Sequence, residues 1–221
     1  RTMNVALMDT PHAIVYMDDI LIISKTWSEH KRNIRDVFRK LRNAGIKIKP
    51  TKCVFGVSEV LFLGHHLSAK GVMPDPEKVR HVKDFPVPKT IRQVQSFLGL
   101  AGYYRRFQKD FSKIAIPLTN LTKIPKDVPK KDINKYFKWT DECQKAFKKL
   151  KENLITFPVL RYPDFTKPFI LMTDASGGAL GAVLGQEDDN GKDYVIAYVS
   201  RVLKGAETRY STIERGNTSY P

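Results

Sequence analysis

Apolar and polar positions follow two rhythms along this chain, and the change falls near Pro158. Residues 13–24 read A-I-V-Y-M-D-D-I-L-I-I-S, two β-rich apolar runs flanking a pair of aspartates. That pattern predicts a hairpin with Met17-Asp18-Asp19 at or near its tip. Thr26 and Glu29 have the spacing of a capping box, which predicts a helix start. Ile34, Val37, Phe38, Leu41 and Ala44 then recur on one helical face, and Gly45 predicts the stop. Short strands are expected over residues 46–49 and 60–63, with a turn at Gly71. Pro74-Asp75-Pro76 opens a helix that stops near Phe85-Pro86. Thr90 and Gln93 form a second capping pair, and Ile91, Val94, Leu98 and Ala101 give the packing face of the helix they begin. A further helix is expected over residues 111–121. Residues 122–138, lysine-rich with Pro125 and Pro129, read as a solvated linker. Thr140 caps the next helix. Beyond Pro158 the period becomes that of strands, expected over residues 169–173, 180–184 and 194–199. The fold class is α+β, in two or three subdomains, with no internal repeat.

Charge adds a constraint that periodicity does not. Among 221 residues, 38 Lys and Arg stand against 23 Asp and Glu, a formal charge of +15. Such an excess suits a polyanion, nucleic acid or an anionic membrane surface, and it equally suits a basic surface without a ligand. No stretch reaches the roughly 18–20 apolar residues of a membrane span. Two distant cysteines, Cys53 and Cys143, make neither a disulfide framework nor a zinc spacing, which fits a reducing compartment.

Adjacent carboxylates between apolar strands are an unusual choice, because buried charge is costly unless paired or bound to metal. A plain turn also accommodates them. The longer pattern separates these readings. Tyr16-Met17-Asp18-Asp19, followed by Ile20-Leu21-Ile22, resembles the YxDD motif of reverse transcriptases. Ser24-Lys25-Thr26, Glu29-His30, Ala44-Gly45, Lys52-Cys53 and Phe62-Leu63-Gly64-His65 follow in the order found in gypsy-type long-terminal-repeat retrotransposon polyproteins. So do the run from Ser96 to Phe107 (S-F-L-G-L-A-G-Y-Y-R-R-F), Trp139-Thr140-Asp141-Glu142-Cys143, Pro163-Asp164-Phe165 and Thr173-Asp174-Ala175-Ser176. The resemblance spans nearly the whole chain.

The resemblance implies a partial reverse-transcriptase palm (residues 1–72), a helical thumb (73–123), a linker and connection helix (124–160) and the first part of a ribonuclease H-like mixed sheet (161–221). It implies that Asp18 and Asp19 ligate Mg²⁺ (or Mn²⁺) for nucleotidyl transfer. Asp174 resembles the first catalytic, metal-binding aspartate of ribonuclease H. Tyr16 and Met17, the Phe62-Leu63-Gly64-His65 primer grip, and Gln95, Gly99 and Tyr103 are then the nucleic-acid contacts. Those last three fall at i, i+4 and i+8, one helical face. A glycine inside a helix costs about 1 kcal/mol relative to alanine; close approach of a duplex accounts for Gly99, and so does helix packing over Gly99 and Gly102. The implied partners are an RNA template, RNA–DNA or DNA duplex and dNTP. The implied location is intracellular, in a cytoplasmic particle or the nucleus, without a membrane.

Two departures from the family stand out. Its palm uses another aspartate on a strand upstream of the hairpin, and this chain starts after that strand. Tyr210-Ser211-Thr212-Ile213-Glu214-Arg215 matches the family, but Gly216 stands where a glutamate ligand is expected; Glu214 lies at a different helical position and does not substitute. The chain is therefore expected to polymerise poorly or not at all by itself. The alternative is a non-catalytic nucleic-acid-binding remnant of a retroelement.

Overall fold

The computed structural model describes residues 2–125 and 128–209. They fall into two compact units, divided between Phe62 and Leu63.

The first unit comprises α1 (Thr2–Ala6), β1 (Ala13–Tyr16), β2 (Asp19–Ile22), α2 (Trp27–Asn43) and β3 (Glu59–Phe62). β1 and β2 pair antiparallel, with Val15 opposite Ile20 and Ala13 opposite Ile22. Residues opposite one another share a face, so these four point together. They pack on a small core of Leu7, Val37 and Leu41. Ile14 and Tyr16 lie on the other face and are exposed.

α2 begins and ends as its sequence specifies. The Thr26 hydroxyl accepts from the Glu29 amide at 3.2 Å, and the Glu29 carboxylate accepts from the Lys25 amide at 3.0 Å. At the far end Gly45 adopts φ +69°. Its amide donates to Arg42 O, and the Ile46 amide donates back to Leu41 O, the paired bonds of a Schellman stop. Ile46 is consumed by this cap, and residues 46–49 form no strand, contrary to the sequence expectation. On the cationic face, Asp36 pairs with Arg39 and Lys40, Lys40 also donates to Asp9 O and Thr10, and Lys31 lies over the Trp27 ring. These cations have local partners, while Arg32, Arg35 and Arg42 are exposed.

The second unit opens with the hairpin of β4 (His65–Ser68) and β5 (Gly71–Pro74), then α3 (Pro76–Lys83), α4 (Ile91–Tyr103), α5 (Phe111–Leu121) and α6 (Asp141–Ile155). Asp75 caps α3, accepting from the Glu77 amide at 2.9 Å. Thr90 caps α4 through the Gln93 amide at 3.2 Å, and Thr140 caps α6 through the Cys143 amide at 3.3 Å. The sheet β6 (Ile170–Ala175), β7 (Ala179–Glu187), β8 (Asp193–Val202) follows in that order. Of the mixed sheet expected, the described strands supply an antiparallel meander with a register shift at Leu184/Gly185.

Helices and sheet share one core. Phe97, Tyr104, Phe107, Leu118, Phe147, Leu150 and Leu154 are buried together, and Val195 and Tyr198 of β8 pack against them. The segment after α6 laces the parts together. Leu160 exchanges both backbone bonds with Val72 of β5, and the next amide, Arg161, donates to Val195 of β8. Gly71 makes this possible: a Cβ there collides with the Leu160 carbonyl. The linker expected over residues 122–138 is less open than its lysines suggest. A 3₁₀ segment covers Lys130–Tyr136, and Phe137, stacked on Trp139, packs against the core.

Candidate functional site

Only Met17 and Asp18 separate β1 from β2, and Asp19 is already the first residue of β2, opposite Tyr16. Both aspartates are exposed. Met17 adopts φ +51°, at the first central position of the turn, where hairpins favour glycine. A residue with a Cβ is strained there by roughly 1–2 kcal/mol. The strain is sustained by Val15 and Ile20, which anchor the strands on the core and pin the tip between them. Met17→Gly is expected to stabilise this unit by about 1 kcal/mol, read as a rise in the denaturant midpoint at unchanged slope.

Carboxylate oxygens are the ligands Mg²⁺ takes, usually one or two from protein with the rest from water and substrate phosphates. The tip fits that share of a site. Among the described residues no group of three Asp, Glu, His or Cys is placed to hold an ion. Asp18 and Asp19 thus fit part of a metal centre, and Asp174 alone does not fit a two-ion one.

In the second unit, the turn leading into β4 places two consecutive residues in the left-handed region, Leu63 at φ +49° and Gly64 at φ +69°. Both carbonyls are held. Leu63 O accepts from the Tyr103 hydroxyl at 2.6 Å and lies 2.8 Å from His65 Nδ1. Gly64 O accepts from the Tyr104 hydroxyl and from the Asp75 amide, each at 3.0 Å. The His65 ring lies among Tyr103, Tyr104 and Phe107, with centroids 5.5–5.8 Å away. Burial there lowers the His65 pKa, which keeps the imidazole neutral near pH 7. Tyr104 is 1% exposed; burial, with the Asp75 charge and Tyr103 adding to it, pushes its hydroxyl up to about 12. Its proton is therefore retained for donation.

Gln95, Gly99 and Tyr103 all lie on the exposed side of α4. A Cβ at Gly99 meets nothing within 4 Å, whereas one at Gly102 lies 3.8 Å from Phe111. Neither position is crowded enough to require glycine: the contact at Gly102 is of ordinary van der Waals length, and Gly99 faces open space. Phe62, the last residue of β3, is half-buried.

Asp174, the penultimate residue of β6, is exposed opposite Gly181. It lines a small recess with Asp110, Lys113, Ser176 and Ser200. Asp110 has φ +58°, and its Oδ1 lies 3.1 Å from where a Cβ at Gly181 stands. Sequence reasoning did not single out Tyr104 or Asp110. The tandem tyrosines were a signal for the first; nothing in the local pattern marks the second. The Gly216 position and its flanking residues lie outside the described residues.

A family described as reverse transcriptase (RNA-dependent DNA polymerase) matches residues 1–67, and an RNase H-like domain found in reverse transcriptase matches residues 139–219. The chain is 41% identical over 217 residues, 97% of its length, to the retrovirus-related Pol polyprotein from transposon 412 of Drosophila melanogaster. It is 40% identical over 204 residues to the transposon Tf2-3 polyprotein of Schizosaccharomyces pombe. It spans 17% and 15% of those relatives. The foamy viral protease-reverse transcriptase in complex with RNA/DNA hybrid superimposes with a TM-score of 0.80 at 26% identity, over 98% of this chain and 28% of that one. The same enzyme with double-stranded DNA gives 0.77 at 27% identity, over 96% and 42%.

Proposed function

We propose that this chain, which belongs to the Pol polyproteins of gypsy-type long-terminal-repeat retrotransposons and carries their reverse transcriptase and RNase H-like domains, supplies the acidic tip and the duplex-holding elements of a metal-dependent nucleotidyl transferase. Residues 1–72 act as palm, 73–123 as thumb, 124–160 as connection and 161–221 as the start of the RNase H-like region. The observation that carries this reading is the exposed Asp18-Asp19 pair on a strained two-residue tip anchored by core-packed strands.

Asp18 and Asp19 would hold Mg²⁺ or Mn²⁺. When bound, the ions activate the primer 3′-hydroxyl and stabilise the leaving pyrophosphate. The chain's own residues position the strands. Tyr16, on the same face as Asp19, and Met17 lie where an incoming base pair meets the tip. The turn at Leu63-Gly64, with Phe62 before it and His65 after it, holds the primer end. Gln95, Gly99 and Tyr103 follow the minor groove, whose donor and acceptor pattern is degenerate enough for sequence-independent contact. In the longer polyprotein the substrates are dNTP and a primed RNA or DNA template. Asp174 would be one of several carboxylates needed for hydrolysis of RNA in a hybrid, the others coming from the longer polyprotein, inside the cell. Among the described residues no helix is long and apolar enough to cross a membrane.

The 221-residue chain is expected to bind an RNA–DNA hybrid, with log affinity falling linearly as log salt rises, measured by fluorescence anisotropy. Absence of binding at low salt contradicts the reading. A second reading, a binding remnant without catalysis, draws on the absence of a third metal donor among the described residues. Under either reading the isolated chain does not extend a primer.

A further inference from the structure

The carbonyls at the tip of a two-residue turn are ordinarily left to water. At Leu63-Gly64 they are not. Four groups converge on the two oxygens, the Tyr103 and Tyr104 hydroxyls, the Asp75 amide and His65 Nδ1, and the tyrosines are adjacent in sequence at the C-terminal end of α4. Their rings meet edge to face, 4.9 Å apart at 89°. The two are differently placed. Tyr104 is buried, so its bond belongs to the core. Tyr103 is 54% exposed, and it shares the open side of α4 with Gln95 and Gly99. One tyrosine therefore carries a hydroxyl on the turn and a ring on the surface read above as duplex-facing.

We propose that Tyr103 is a positioning residue that couples the two: a duplex seated along α4 presses on the Tyr103 ring and so fixes the Leu63-Gly64 turn through the hydroxyl. The deduction rests on the reading of α4 as a nucleic-acid surface. Leu63 makes the device necessary, because a non-glycine residue in the left-handed region relaxes when nothing holds it. His65 Nδ1, beside the same oxygen, leaves a weaker restraint when the tyrosine hydroxyl is removed.

The test uses the 221-residue chain and a short RNA–DNA hybrid of arbitrary sequence, with amide hydrogen exchange followed at Gly64, His65 and Asp75. In the native chain the hybrid slows these amides. In Tyr103→Phe, which keeps the ring, exchange is read at a saturating concentration of hybrid, so that a change in affinity does not enter the comparison. The turn amides exchange about fivefold faster without hybrid, the effect of one neutral hydrogen bond, and adding hybrid no longer slows them. A role confined to stability shifts exchange equally with and without hybrid and does not remove the hybrid-dependent protection at saturation. If the variant keeps native hybrid-dependent protection, the coupling is wrong while the nucleic-acid reading stands. If the native chain does not bind the hybrid, both fall. Should the phenylalanine variant not fold, 3-fluorotyrosine at position 103 keeps the hydroxyl. Its ¹⁹F resonance moves on addition of hybrid if the proposal holds, and a stationary resonance in a chain that binds overturns it.

Discussion

Replacing Asp18 or Asp19 by asparagine, in a Pol polyprotein that contains this segment, is expected to lower primer extension by about 10³-fold or more, roughly 4 kcal/mol of transition-state stabilisation. The change keeps shape and removes one anionic oxygen donor. Both positions are exposed and outside the core, so folding is left intact and duplex affinity changes little. The loss falls on kcat rather than on binding, because the ions act where charge develops. Asparagine at Asp36, a carboxylate of the same unit already paired with Arg39 and Lys40, is the control and leaves extension within a few-fold. Loss of the same size from Asp36→Asn would mean that unit stability, not the tip, was being measured.

The largest structural effect is expected at Phe97. Its side chain is fully buried, 4.6 Å from the Phe147 ring and 5.4 Å from Phe85 by centroid. It joins α4 to α6 in the core that also receives β8. Phe97→Ala removes that contact and leaves a cavity, which costs about 3–5 kcal/mol. A domain has only 5–15 kcal/mol in total, so the second unit is expected to melt well below its native temperature. The first unit has its own core of Leu7, Val37 and Leu41, and amide protection in α2 is expected to persist. A cost below 1 kcal/mol contradicts the packing described.

How legible these features were depended on whether their causes are local. The caps at Thr26, Thr90 and Thr140 were readable because each bond lies within three residues of its partner. The Asp18-Asp19 tip was readable for the same reason, since two apolar runs leave one place for a turn. Residues 46–49 were misread as a strand. Their β-like composition is real, but Ile46 closes the α2 cap, and among the described residues the segment joins no strand. The linker at 122–138 was read as solvated because lysines dominate its composition, while the packing of Phe137 depends on Trp139 and the distant core. The pairing of Val72 with Leu160 and the donation from Tyr104 to Gly64 O span 88 and 40 residues of sequence, which no periodicity reports. The site followed the same division. Gly64 was named within the Phe62-Leu63-Gly64-His65 motif, but the positive φ of Leu63 beside it was not foreseen, because leucine gives no warning of it. Gly99 was left between packing and ligand approach, and only the open space around it weighs toward the second.

Paramagnetic broadening by Mn²⁺, recorded on the 221-residue chain with a bound RNA–DNA hybrid, bears most directly on whether this tip grips divalent ions. The account predicts that amides of Met17 to Ile20 broaden first, at low occupancy, and that Asp18→Asn and Asp19→Asn each abolish the effect. Broadening spread evenly over the acidic surface, or centred elsewhere while the tip stays sharp, contradicts it.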